Sequence, residues 1–446
     1  MAAFWFHSAR LPTGWAQGVR IEADSHGLIA KIETHADRDG AEVISGVAVP
    51  ALANVHSHAF QRAMAGLAEF SDGGRDDFWS WRERMYAFLQ RLDPDDIEAI
   101  AAQTYVEMLK GGYGSVAEFH YVHRDPSGDW YSDKAATARA IVRGAQTAGL
   151  GLLVLPVVYL TSGFDGAALK PGQMRFDCAP QDVADIRSAL EKDGVRTGLS
   201  LHSLRAAPES AVVEALALSP SGPVHIHVAE QIGEVEACLA QTGRRPVERL
   251  FDLAPVDDRW CLIHATHMTP EETKRVSLSG AVAGLCPSTE GNLGDGLFDL
   301  PGLEAHGGRF GIGTDSHVSL NAPEELRWLD YGWRIQQRRR FAEGRAGHRG
   351  ADLWLRAVEG GARALGESKG GLQLGARADI LALDANHPTL AGRSGDLILD
   401  ALVFCHQGNP IRTVISGGVA AVRDGRHPHE AAIAKRYAQT LSKLVA

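Results

Sequence analysis

Val49–Gly66, VPALANVHSHAFQRAMAG, decides how the rest of the chain is read. An apolar run leads up to Asn54 and Val55, and His56 and His58 follow with a single residue between them. Alternate side chains of a β-strand share a face, so the two imidazoles point the same way at the strand's end. Neutral imidazoles side by side suit zinc or a similar ion. One H-x-H alone reads more simply as two packed histidines. What gives this one weight is the chain around it, which supplies further ligand-type residues in regular order.

Working outward, eight apolar runs alternate with amphipathic stretches. The runs are Ala51–His56, Gly114–His120, Gly151–Tyr159, Thr197–His202, Val224–Val228, Trp260–His264, Ala281–Cys286 and Phe310–Thr314. Between them, Asp95–Lys110, Tyr131–Ala148, Gln181–Asp193 and Ile232–Gln241 have helical spacing. Eight strand–helix units predict an α/β protein built as a (β/α)₈ TIM barrel over residues 49–370, with an open doubly wound sheet as the structural alternative. No G-x-G-x-x-G opens a helix, which weakens any dinucleotide-binding reading.

The chain ends read differently. Gly18–Ala23, Leu28–Glu33 and Glu42–Val49 are strand-like, separated by Asp-Ser-His-Gly and Asp-Arg-Asp-Gly. Asp379–Asp384 and Ile411–Val422 repeat that style, with Gly417 and Gly418 as a hairpin turn. Residues 1–48 and 371–446 are therefore expected to join as one small β-sandwich, with the barrel inserted between its halves. His427–Ala446 is expected to be a surface helix.

Composition bounds the partners. Apolar residues make up 45% and charged residues 22%, the balance of a globular protein. A formal net charge of −10 argues against nucleic acid or an anionic membrane, while leaving an anionic small substrate open. No apolar run approaches membrane-spanning length, and the opening MAAFWFHSARLPTGW has no basic segment followed by a long apolar one, so no signal peptide is expected. The five cysteines are scattered and form no C-x-x-C, which fits a reducing cytoplasm.

Active-site residues of such barrels sit at the C-terminal ends of strands. Reading each end in turn gives His56 and His58; His120 and Tyr121; Tyr159; His202 and Arg205; His227 and Glu230; His264 and His267; Ser288, Thr289 and Glu290; then Asp315. VHIHVAE offers His225 and His227 on one face; His227 lies nearer the strand end and is the preferred third ligand, with His225 packed lower in the barrel. Asp315 in GIGTDS would bind the metal and accept a proton from water, the alternative being a helix cap shared with Ser316. Three histidines and an aspartate that leave room for water make a catalytic rather than a structural metal site. Glu230 would shuttle a proton to a leaving nitrogen, and His264 would polarise the attacked centre or serve only as a structural histidine.

H-x-H, the later H-x-x-E, a strand-end histidine, the final T-D-S and GARADILALD at Gly375–Asp384 together resemble the amidohydrolase superfamily in its deaminase branch, over essentially the whole chain. Many members hold two metals bridged by a carboxylated lysine at the fourth strand end. TGLSLHSLRAAP carries His202 and Arg205 there instead, so the resemblance implies one divalent ion, with zinc the first expectation, and loss of ammonia rather than amide hydrolysis. NVHSHAFQRAMAG, FWSWRERMY, EFHYVH and LHSLRAAP are similar to a family of that branch which hydrolyses N-formimino-L-glutamate to N-formyl-L-glutamate and ammonia in histidine degradation. Carried over residue by residue, the likeness implies His56, His58, His227 and Asp315 as metal ligands and Glu230, His264 and Asp315 in catalysis. Gln61, Arg82, Tyr121, His202 and Arg205 would hold the substrate, and a homodimer would be typical.

The residues themselves agree with a dicarboxylate, because arginine binds carboxylates through paired hydrogen bonds. Arg82, like Arg84 beside it, can equally be a solvated helix residue, whereas Arg205 at a strand end is harder to dismiss. A guanine or triazine deaminase would not need those arginines, and a catalytically dead scaffold would be expected to lack ligands that are present here. Ser288–Asp299, STEGNLGDGLFD, reads as a mobile loop over the site, with Glu290 and Asn292 as candidate substrate contacts.

Overall fold

The eight apolar runs become eight parallel strands. In the computed structural model, which describes residues 2–67, 69–70, 78–342, 346–405 and 407–445, β1 (Ala2–Leu11), β2 (Gly14–Ala23), β3 (Ile29–Glu33) and β4 (Glu42–Pro50) come first. The barrel strands follow as β5 (Leu52–Ser57), β6 (Tyr113–His120), β7 (Gly151–Val158), β8 (Leu199–Leu201), β9 (Val224–Val228), β10 (Trp260–His264), β11 (Val282–Leu285) and β12 (Arg309–Ile312). β13 (Ile380–Leu383), β14 (Ile411–Ser416) and β15 (Val419–Val422) close the series. β12 pairs with β5, Ile312 opposite Asn54, so the barrel is closed and the open-sheet alternative falls away.

Every residue of β9, β10 and β11 is buried, as parallel strands covered on both faces require. The intervening helices start where the sequence permits a cheap start: Pro94, Pro180, Pro246, Pro270 and Pro287 each open one. A proline at the first helical position forfeits no helical hydrogen bond. The helix Pro94–Gly111 is further fixed by a reciprocal cap between Asp93 and Asp96. At the barrel floor, the carbonyl of Ala364, ending the helix Arg349–Ala364, meets Nε2 of His225 at 2.8 Å. His225 is thus a packed histidine low in the barrel.

The chain ends join as expected, but as one continuous sheet rather than two hydrogen-bonded layers. The order is β15-β14-β13-β4-β1-β2-β3, with β1 and β4 parallel and the other neighbours antiparallel. One face encloses a core of its own that includes Phe4, Phe6, Val19, Ile21, Ile44, Ile380 and Ile415. The other face gives Val47, Val49, Leu381, Leu383 and Val414 to the barrel's core. Gly417 and Gly418, at φ 54° and 77°, make the β14–β15 turn, where two left-handed residues match the twist of a hairpin. The tail forms the helix Glu430–Val445, tied to the helix Pro94–Gly111 and its cap by Lys443 bonding Asp93 and Asp96.

Three expectations need correcting. β1 was not anticipated and β2 starts earlier than Gly18, because Phe4, Trp5 and Phe6 bury both faces of β1 and erase the alternation that marks a half-exposed strand. The helix expected from Tyr131 begins at Ala136. The stretch read as a mobile loop from Ser288 lies partly in the helix Pro287–Leu293, with Ser288, Thr289 and Glu290 buried.

Candidate active site

His56 and His58 share a face, as alternation requires, but a bulge decides which face. Asn54 pairs with Val116 and Ser57 with Glu118, so three steps along β5 match two along β6. Val55 packs inside the barrel with Ile263 and Leu155, and the extra residue turns His56 inward as well. Bulges re-aim side chains beside active sites in this way. Gly313 completes the fit: a Cβ there would lie 2.8 Å from that of His56 and 3.0 Å from its backbone nitrogen.

The predicted ligands converge. Nε2 of His56 lies 3.0 Å from Nε2 of His227, and Nε2 of both His56 and His58 lies 3.4 Å from Oδ1 of Asp315. The opposite nitrogens are anchored: Nδ1 of His58 to the Phe119 carbonyl at 2.9 Å, and Nδ1 of His227 to the His202 carbonyl at 2.8 Å. A carbonyl can only accept, so each Nδ1 carries the hydrogen and each Nε2 presents a lone pair. Burial, reinforced by neighbouring imidazoles, holds His56, His58 and His227 well below the ordinary histidine pKa. Three neutral imidazoles and one carboxylate are a donor set that fits a divalent ion at a catalytic site. The helix-cap alternative for Asp315 does not hold, since its backbone is left-handed at φ 45°.

His264 is set apart from these. Burial alone would lower it, but Glu230, Glu290 and Asp315 surround it and hold its pKa well above the usual value. Its Nδ1 meets Glu290 at 3.2 Å, and its Nε2 lies 3.6 Å from Glu230 and 3.7 Å from Asp315. Glu230 is pushed up to about 7, chiefly by burial, with Asp315 and Glu234 adding to the shift against His264 and Arg205. Among the described residues, eight non-glycine positions have positive φ, and five of them, Ala229, His264, Ala265, Asp315 and His317, lie at or just past the ends of barrel strands at this mouth. Such strain persists only where surrounding contacts enforce it, and it gathers at functional sites.

Beside the ligands, a cavity brings Gln61, Arg82, Tyr121, His202 and Arg205 together with His58, His227, Glu230, His264 and Asp315. Trp81, Met85 and Tyr86 join Arg82 from the helix Phe78–Leu89, and Phe176 comes from the turn Pro171–Phe176. Gln61 donates to the Tyr121 hydroxyl at 2.8 Å, and the Tyr121 ring packs on His58 with centroids 4.7 Å apart. Arg84 is not part of the lining. His120 bonds Thr137 and His267 bonds the Asp295 carbonyl, so neither strand-end histidine joins the cluster.

Several residues were missed. Glu234 accepts the backbone N–H groups of Ala229 and Glu230 at 3.2 and 3.0 Å and so fixes the strained turn that aims Glu230. Its only sequence signal was an acid in the first turn of a helix. Asp295, beside Glu230 and His264 with ligand-type atoms mutually within 4.8 Å, is raised to about 9 by burial and then by Glu230. Glu290 is a partner of His264 and of the Cys286 backbone, and Asn292 is exposed and bonds Glu69.

With this geometry in place, comparison with known proteins decides the family. The profile of the Amidohydrolase family matches residues 47–420. The chain belongs to the amidohydrolase family. It is 47% identical over 452 aligned residues, covering 100% of each chain, to formimidoylglutamate deiminase of Pseudomonas aeruginosa. A crystal structure of an amidohydrolase from Brucella melitensis superposes with a TM-score of 0.94 at 43% identity, covering 100% of both chains. A zinc-bound adenosine deaminase from Xanthomonas campestris, 19% identical with a TM-score of 0.81, covers 100% of this chain and 98% of its own, and shares the fold. The family is therefore the one that the sequence motifs implied.

Proposed function

We propose that this amidohydrolase hydrolyses N-formimino-L-glutamate to N-formyl-L-glutamate and ammonia, using one divalent ion, zinc, held by His56, His58, His227 and Asp315. The observation that carries the reading is the presence of Arg82 and Arg205 in one cavity with His58, His227 and Asp315 of that ligand set. Two guanidiniums suit a substrate with two carboxylates, and the identity to a formimidoylglutamate deiminase over the whole chain supports the same choice.

A bound ion would lower the pKa of water and polarise the C–N unit under attack. Asp315 and Glu230, flanking His264, accept protons from the attacking water as its oxygen bonds to the formimino carbon. His264, whose protonation is favoured by Glu230, Glu290 and Asp315, presents a hydrogen-bond donor to the developing tetrahedral centre. Glu230 returns protons to the nitrogen, both water protons finish there, the C–N bond breaks, and ammonia leaves. The carboxylate of Glu230 also balances the positive charge of a protonated amidine. Gln61, Arg82, Tyr121, His202 and Arg205 hold the glutamate portion.

The aromatic lining of Trp81, Tyr86, Tyr121, Tyr159 and Phe176 favours a second reading, a deaminase of a ring amine such as guanine. Ammonia release from N-formimino-L-glutamate by zinc-loaded protein, beside N-formimino-L-aspartate and guanine, separates the two. Release from the glutamate compound that is lost on chelation is the expected result; release from guanine alone would replace the assignment. We place the protein in the cytoplasm, a reading supported by its five free cysteines, and expect a homodimer, which sedimentation would test.

A further inference from the structure

Behind the histidine pair lies a run of buried polar side chains that the chemistry above does not use. Ser57 sits between the two histidines but faces the other way, its hydroxyl donating to Glu118 at 2.5 Å. The second oxygen of Glu118 accepts the backbone N–H of Ala59 at 2.7 Å, one residue past His58, while the Tyr105 hydroxyl donates at 3.0 Å to the oxygen that Ser57 also uses. On its other side Ser57 lies 3.2 Å from Nε2 of His317, whose Nδ1 is 2.9 Å from the Thr314 hydroxyl. Asn54 donates to that hydroxyl at 2.7 Å, and its own carbonyl oxygen accepts the backbone N–H groups of His56 and Thr314, each at 3.2 Å.

One order of hydrogens satisfies the whole run. Asn54 donates to Thr314, Thr314 to Nδ1 of His317, Nε2–H of His317 to Ser57, and Ser57 to the Glu118 carboxylate. The run starts on β5 at Asn54, crosses to the segment that carries Asp315, returns to β5 at Ser57 between His56 and His58, and ends on Glu118 of β6. Ser57 and Asp315 are themselves bridged in parallel. Asp315 and His317 hold left-handed backbones at φ 45° and 62°, which need just such enforcement.

We propose that Ser57, Glu118 and His317 are positioning residues that set the affinity of the metal site, by locking the end of β5 to the segment that carries Asp315. The inference rests on the metal-ligand reading above and adds to it: three of the four ligands owe their mutual placement to side chains that touch neither ion nor substrate. Outer partners of metal ligands commonly alter affinity by roughly 10- to 100-fold when removed.

The test is zinc affinity of the chelator-stripped protein, measured by competition with a chromogenic chelator. Ser57→Ala and Glu118→Gln should each weaken zinc binding by roughly 10- to 100-fold, Ser57→Thr, which keeps the hydroxyl, should bind like the parent, and excess zinc should restore turnover in all three. Thr137→Val removes the buried hydrogen bond to His120 elsewhere in the barrel and should leave affinity unchanged. Parental affinity in both Ser57→Ala and Glu118→Gln, or an equal loss in Thr137→Val, would overturn the inference while leaving the ligand assignment intact. Failure of the parent protein itself to bind zinc would overturn both.

Discussion

The two walls of the cavity are built on different principles. The proposed metal wall is made of strand ends: His56 lies at the end of β5 and His58 just past it, His227 lies near the end of β9, and Asp315 follows β12. The second nitrogens of His58 and His227 are pinned to carbonyls. The proposed substrate wall is made largely of excursions from the barrel. Trp81, Arg82, Met85 and Tyr86 ride on one face of the helix Phe78–Leu89, and Arg205 lies in the connection after β8. A closed barrel fixes reacting groups closely, while connections vary without disturbing it. Losses on the first wall should therefore appear as lost chemistry, and losses on the second as lost binding.

The sharpest way to break this contrast is at Asp315. Replacing it with alanine removes the proposed ligand and proton acceptor together, and kcat should fall on the order of 10⁴-fold, as when a member of a tightly coupled catalytic set is lost. Metal content measured on the same sample shows whether the ion goes with it. A loss confined to KM would put Asp315 on the wrong wall.

Glu230 comes next. Glu230→Gln should lower kcat by about 10²- to 10⁴-fold, the usual worth of a placed proton carrier. Its carboxyl, raised by burial to about 7, must be ionised to accept a proton from water, so kcat/KM of the parent should fall as pH drops through about 7. That limb should be absent from the residual activity of Glu230→Gln. His264, held well above its ordinary pKa by the carboxylates around it, should contribute no such acid limb.

Arg205 tests the other wall. Arg205→Met keeps much of the side chain's bulk and removes the charge, and a charge-assisted hydrogen bond contributes about 1.5–3 kcal/mol, roughly 10- to 100-fold. The loss should fall mainly on KM, and guanine, if it is turned over at all, should not feel it. A pure kcat effect would mean that Arg205 acts on the reacting atoms.

The same contrast explains what could be read from sequence. The eight strands announce themselves because parallel strands are apolar throughout, and barrels place chemistry at their C-terminal ends, so H-x-H, H-x-x-E and T-D-S were found by position. The bulge that turns His56 inward leaves no mark, since it is a mismatch between β5 and β6 rather than a property of either. Glu234 and Asp295 escaped for a related reason: each acts on Glu230 across space, and each looks locally like an ordinary acid in a first turn or a loop. On the substrate wall, FWSWRERMY revealed Arg82, but only the helix shows that Trp81, Met85 and Tyr86 share its face.

The smallest effects should come from the segment between the walls, where Glu290 and Asn292 are two residues apart. Both were candidate substrate contacts, yet the helix Pro287–Leu293 sends them opposite ways. Glu290 is buried against His264 at 3.2 Å, and Asn292 is exposed and bonds Glu69. Glycines at 291, 294 and 296 disguise this helix as a loop, and Pro287 directly after the seventh strand was the available sign of it. Glu290→Gln keeps an acceptor beside His264 but removes the charge that favours its protonation, and kcat should drop about tenfold, the lower end of what a hydrogen bond to a charged group contributes. Asn292→Ala loses one exposed hydrogen bond and should leave both kinetic constants within about twofold of the parent, since exposed substitutions away from special features cost about 0.5 kcal/mol or less. If Asn292→Ala instead raised KM tenfold, the substrate wall would extend across this helix, and the division between the walls would have to be redrawn.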